Sequence, residues 1–169
     1  MIIKNTPQKT LAKAVELKGI GLHSGKAIDL VLKPAAADCG FVFVRTDLDP
    51  QVEIPALAQY VNKTDRGTTL SVEGVDVQTT EHVLAALVGC GINNCRIELN
   101  GAEVPILDGS SKPFVEAIQT AGIQDQEALQ EIFVVQENIH ITDEASGSEI
   151  LIVPAESTSL TVLIDFETQ

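Results

Sequence analysis

Thr79-Thr80-Glu81-His82-Val83-Leu84-Ala85-Ala86-Leu87-Val88-Gly89 reads as a helix with a chemical head. Thr79 or Thr80 is placed to cap the first turn by accepting a hydrogen bond from an orphan backbone N–H. Glu81 falls in that turn, where the positive end of the helix dipole favours a carboxylate. Val83, Leu84, Leu87 and Val88 recur at helical spacing as one apolar stripe. Ala85, Ala86 and Gly89 are small enough for another backbone or a ligand to come close. Gly89 or Gly91 supplies the left-handed residue that ends the helix. His82 then stands beside Glu81 at a helix N-terminus, where the dipole opposes protonation and keeps an imidazole available to a metal. Most such pairs are ordinary surface or core groups, so the surrounding chain has to decide.

Around this helix the chain has 169 residues and is 44% apolar, enough to bury a real core as one domain or somewhat more. No apolar run reaches the roughly eighteen residues of a membrane span. The first residues lack the apolar centre of a signal peptide, and Cys39, Cys90 and Cys95 are an odd, scattered set. Both features point to reduced thiols in a cytoplasmic protein, and neither zinc-ribbon spacing nor a disulfide framework is present. A net charge of −13 argues against a nucleic-acid partner. That charge is uneven: residues 113–169 hold eleven Asp and Glu and no Lys or Arg. Such asymmetry suggests two units, or else a solvated acidic face.

Strands flank the helix on both sides. Thr10 to Leu17 reads as one, and Gly19-Ile20-Gly21-Leu22-His23-Ser24-Gly25 follows as a glycine-rich turn. It lacks the Gly-Lys-Ser/Thr run of a phosphate loop, which disfavours a kinase-like reading. His23 and Ser24 have no third partner that would make a nucleophile. Ala27 to Lys33 alternates, with Ile28, Leu30 and Leu32 on one face, and Phe41 to Arg45 is a further strand. Lys63-Thr64-Asp65-Arg66-Gly67-Thr68-Thr69-Leu70 is a polar loop entering a strand, and Glu73-Gly74 a turn. Cys95, Ile97 and Leu99 alternate up to the Asn100-Gly101 turn. Ser110 or Ser111 then caps a second helix containing Pro113, Phe114, Ala117, Ile118 and Ala121, stopped by Gly122. The expected fold is α+β, a two-layer sandwich of a mainly antiparallel sheet with helices on one side.

Beyond residue 130 the pattern returns to strands: Phe133-Val134-Val135, Ile139-His140-Ile141, Glu149 to Val153 and Leu160 to Phe166. Ile28 to Ala35 resembles Glu149 to Ala155, and each leads through a polar link to another apolar strand. The repeat implies a duplicated architecture: a first α+β domain over 1–130 and, over 131–169, the opening strands of a second, incomplete copy.

The glycine turn 19–25, the Thr79–Leu87 helix and Val104-Pro105-Ile106-Leu107-Asp108-Gly109-Ser110 together resemble one family. It is the zinc-dependent UDP-3-O-acyl-N-acetylglucosamine deacetylase of lipid A biosynthesis. Arg45-Thr46-Asp47-Leu48 and Leu163-Ile164-Asp165-Phe166 fit it too, and the resemblance runs the length of the chain. It implies two similar α+β domains with the active site between them, Zn2+ as cofactor, and a UDP-linked acylated glucosamine as substrate. It makes His82 a zinc ligand and Glu81 the general base toward zinc-bound water, whose pKa the metal lowers to about 7. His23, Arg66, Gly67 and Asp108 are the residues it implies bind substrate or shape the site; a structural turn is an equal reading for His23, and the entry to the second helix an equal one for Asp108. The family's remaining ligands come from a His-Lys-x-x-Asp motif on a second-domain helix, and its general acid is a further histidine. Neither occurs here. His140 and Glu144 share the His-to-Asp spacing, but in a strand residues four apart are separated by roughly 13 Å, too far for one metal. This chain is therefore expected to be the N-terminal part of the enzyme, inactive alone. The competing expectation is a noncatalytic binding or structural module that keeps the fold.

Overall fold

The alternation in residues 27–33 and 95–99 is that of strands buried on one face, and it organises the sheet. A computed structural model describes residues 2–3 and 5–164. The chain forms two compact units, residues 5–130 and a second in which the N-terminal residues join the chain from Glu131 on.

In the larger unit, β2 (Pro7–Leu11), β3 (Val15–Ile20), β4 (Ala27–Pro34), β5 (Phe41–Arg45) and β6 (Val52–Pro55) precede a short 3-10 turn, Ala58–Tyr60. β7 (Val61–Lys63), β8 (Thr69–Val72) and β9 (Val75–Val77) lead into α1 (Glu81–Gly89). β10 (Cys95–Leu99), α2 (Lys112–Ala121) and β11 (Ile123–Leu129) complete it. The main sheet has the order β3-β4-β10-β5-β6, antiparallel throughout except where β10 runs parallel to β5. The expected strand from Thr10 to Leu17 is in fact two, because Ala12 donates its N–H to Gly122 at 2.9 Å and the chain changes sheets there.

Register explains the core. Val15, Leu32, Ile97, Phe43 and Ile54 lie opposite one another across five strands and so share a face. Leu32, Phe43, Ile54 and Ile97 are fully buried, in one cluster with Val83, Ala86 and Leu87 of α1 and Phe114 and Ile118 of α2. The two helices pack on each other and α2 also on β3. The other face carries Lys33, Glu53, Arg96 and Glu98, joined as ion pairs: Lys33–Glu98 and Arg96–Glu53 at 2.6 Å, Arg96–Glu98 at 3.2 Å. This is the α+β sandwich read from the sequence.

Arg45 is the exception on the core face, level with Leu99 and only 8% exposed. Its guanidinium donates to both carboxylate oxygens of Asp47, at 2.8 and 2.7 Å, and to the Asp76 carbonyl at 2.8 Å. It thereby fastens the end of β5 to β9. The Arg45 hydrogen bond holds the Asp47 carboxyl below its ordinary 3.8, more than offsetting burial. The unfolded chain therefore takes up a proton first as pH falls, so the pair's contribution is present above about pH 4 and lost below it. Asp47→Ala is expected to cost about 1–3 kcal/mol at neutral pH. The difference from wild type should shrink in urea titrations as pH falls below about 4 and through the carboxyl's lowered pKa.

In the second unit, β1 (Ile2–Ile3) pairs antiparallel with β12 (Ile132–Phe133), and β13 (Ile139–Asp143) pairs antiparallel with β14 (Ser148–Ile152). Ile141, Ile150 and Leu151 stay more than half exposed, since a two-stranded hairpin has too few neighbours to bury them. The strand expected over Leu160 to Phe166 does not form in Leu160–Ile164, which have no ladder partner among the described residues. Asp165 and Phe166 lie outside the described residues.

Candidate functional site

Three segments distant in sequence meet where α1 begins. The first is the glycine turn after β3, the second the polar loop between β7 and β8, and the third the segment after β10. That last segment lies alongside Gln78, which donates to the Ala102 carbonyl at 2.9 Å and accepts from the Val104 N–H at 3.0 Å. His23, Lys63, Asp65, Arg66, Gly67, Thr69, Gln78 and Thr79 line a cavity of about 220 Å³. His23, Arg66 and Gly67, named separately by the sequence, are thus brought together.

Glu81 reaches the same loop. Its Oε2 accepts the Thr68 N–H at 2.9 Å, and its Oε1 would lie 3.3 Å from a Cβ built on Gly67. Glycine at 67 lets the loop backbone lie against the carboxylate. His82 is the next residue of the first turn and is half-buried.

The helix head is built differently from the expected cap. Thr80 is the N-cap residue but makes no side-chain cap. Its hydroxyl donates to the Thr68 carbonyl at 3.1 Å, so it too grips the β7–β8 loop. Thr79, a β-branched residue at φ +57, donates its hydroxyl to Glu103 Oε1 at 3.3 Å. The stripe also differs in one position: Val83, Ala86 and Leu87 are buried while Val88 is 65% exposed. Asp108 is not among the residues lining that cavity; it is exposed just before α2, where its Oδ1 accepts from the Ser110 N–H and hydroxyl at 2.9 and 2.8 Å. Those bonds hold its carboxyl below the ordinary range. Ser110 in turn accepts the Lys112 N–H at 3.1 Å, so the Asp108 group organises the entry to α2.

Glu103 was not legible as a site residue. It is 1% exposed, and its oxygens accept the backbone N–H groups of His23 and Ser24, each at 2.8 Å. Burial pushes its carboxyl up, but hydrogen bonds from Ser24, the backbone of His23 and Thr79 outweigh this and keep it below the ordinary 4.5. It remains a carboxylate, bound by donors from two walls of the cavity.

The chain is thus an α+β sandwich whose first helix opens on a carboxylate beside a polar cavity. Comparison with known proteins goes further. The chain belongs to the UDP-3-O-acyl N-acetylglycosamine deacetylase family (LpxC), whose model matches residues 8–169. It is 48% identical over 160 residues to the UDP-3-O-acyl-N-acetylglucosamine deacetylase of Myxococcus xanthus, covering 95% of this chain and 50% of that one. The deacetylase of Hahella chejuensis is also 48% identical, over 95% of this chain and 52% of its own. A bifunctional enzyme LpxC/FabZ of Chlorobaculum tepidum is 45% identical, with 34% of its length covered. The chain spans about half the length of the deacetylases it matches.

A zinc ion needs about three protein ligands and an open position. Among the described residues no three His, Cys, Asp or Glu side chains come together in that way. His82 can supply one donor. Cys95 is buried, and burial pushes its thiol up to about 12, so it stays protonated. His140 lies on β13, 3.5 Å from Glu149. The described residues do not by themselves fit a zinc site. No helix among them is long and apolar enough to cross a membrane.

Proposed function

We propose that this chain carries the proton-accepting carboxylate and one metal donor of a zinc-dependent, cytoplasmic deacetylase. Its substrate is a UDP-linked, 3-O-acylated N-acetylglucosamine, and acetate is the product released. The observation that carries the reading is the Glu81 carboxylate, fixed by the Thr68 N–H beside Gly67, in a chain nearly half identical to proteins of that name. A carboxylate held by one oxygen keeps lone pairs free to take a proton from an attacking water. His23, Lys63 and Arg66 around the adjoining cavity suit a polar or anionic substrate group. His82 is the donor for zinc, whose other ligands must come from outside the described residues.

The test compares full-length protein with residues 1–169 alone, measuring bound zinc and acetate release from the UDP-linked substrate. The full-length protein is expected to hold one zinc and turn over. The short chain is expected to hold zinc weakly and release no acetate. A full-length protein without acetate release would favour a noncatalytic module, and an active short chain would refute the half-site.

A further inference from the structure

Glu103 is the most buried carboxylate in the larger unit, and burying a charge is unfavourable unless donors surround it. It sits two residues beyond the Asn100-Gly101 turn, in a segment bridged in parallel to Gln78. That pairing aims its side chain at the glycine turn, about eighty residues earlier. Oε1 accepts the His23 N–H at 2.8 Å and the Thr79 hydroxyl at 3.3 Å, while Oε2 accepts the Ser24 N–H at 2.8 Å. A single carboxylate thus spans from the turn that presents His23 to the residue that leads into α1.

Two local features follow from this contact. A Cβ on Gly21 would lie 2.3 Å from Glu103 Oε2 and from Ser24 Oγ, so only glycine allows the carboxylate so close to the turn. Thr79 is held at φ +57, where a β-branched residue is strained and persists only because its surroundings impose it. Thr79 is 3% exposed and bonded to Glu103. Neighbouring Thr80 and Glu81 make their own bonds with Thr68. The restraint therefore passes from the His23 turn through Glu103 to the helix head.

The geometry points to Glu103 as a positioning residue that sets the His23 turn at a fixed distance from the start of α1, and with it the Glu81 carboxylate. This rests on the proposed deacetylase reading and adds to it a residue that touches no substrate. A buried ion here serves precise placement, because three charge-assisted bonds fix direction as well as distance.

The experiment is a double-mutant cycle in the full-length zinc protein, following acetate release from the UDP-linked substrate. Glu103→Gln keeps the volume but sets an NH2 donor against one of the two backbone N–H donors, forcing the turn away. It is expected to lower kcat/KM about 10- to 100-fold at a temperature well below its own melting point. His23→Ala keeps the backbone N–H that Glu103 accepts and removes only the imidazole, and it is expected to lose activity as well; the double variant should lose no more than the worse single one, since the turn then has no imidazole left to position. A purely architectural carboxylate would lower the melting temperature and leave kcat/KM of the folded protein unchanged. That result, a fully active His23→Ala, or losses that multiply would each overturn the proposal. If Glu103→Gln fails to fold, Thr79→Val cuts the same clamp with a side chain of equal shape, and an unchanged rate there overturns it too. A wild-type protein that releases no acetate removes the deacetylase reading itself, an outcome distinct from an active wild type with an indifferent Glu103.

Discussion

Replacing Glu81 by Gln in the full-length protein is expected to lower acetate release by about 10²- to 10⁴-fold while leaving the zinc content unchanged. The amide keeps the side chain's length and can still accept the Thr68 N–H through its carbonyl oxygen, so the loop beside Gly67 stays in place. What it loses is the ability to take a proton. His82→Ala is the necessary partner experiment: on the proposed reading it removes a donor to the metal, and it is expected to abolish zinc and activity together. Metal content separates the two roles where activity alone would not. An active Glu81→Gln protein would show that the proton acceptor lies elsewhere, and a zinc-free one would make Glu81 a ligand.

The pair's place in the first turn of a helix was legible in the sequence, because a first-turn carboxylate followed by an apolar stripe is a local pattern. What surrounds the pair was not. Thr79 and Thr80 look like caps when only neighbouring N–H groups are considered, yet their hydroxyls go to Glu103 and Thr68. Those partners lie 24 and 12 residues away, and no local rule contains them. Val88 and Ala86 illustrate the same limit on the other side of the helix. Apolar spacing announces a stripe, but the packing partners decide its edges, and small Ala86 is buried where α1 meets the core while Val88 faces out.

Sheet residues were easier to read, because one-sided burial imprints a period of two. Leu30, Leu32, Ile97 and Leu99 are all buried, as their alternation required. Leu160 to Ile164 carry a comparable apolar character and form no strand among the described residues. β-propensity expresses fit to a neighbouring strand, so a suitable sequence without a neighbour stays irregular. Glu103 is the opposite failure. A glutamate between a tight turn and Pro105 reads as surface, and only the fold shows the ring of donors around it.

Gly21 is where that ring can be tested without touching a charged group. Gly21→Ala is expected to destabilise the larger unit by about 3 kcal/mol or more, a shift of roughly 1–2 M in the urea midpoint. The new methyl would need the space now held by Glu103 Oε2 and Ser24 Oγ, each 2.3 Å from its ideal position. Glu103 could swing aside only by giving up its bonds to His23 and Ser24, which are charge-assisted and buried. Gly25 in the same turn is the control. It sits at φ +63 with nothing within 4 Å of an added Cβ, so alanine there meets only the backbone cost, about 1–2 kcal/mol. The larger loss at Gly21 would identify contact with the carboxylate, and a larger loss at Gly25 would identify turn conformation instead. Truncating Glu103 makes the room that the added methyl lacks, so Gly21→Ala should cost much less in a Glu103→Ala background than alone. Additive losses would mean that the methyl and the carboxylate do not compete for the same space.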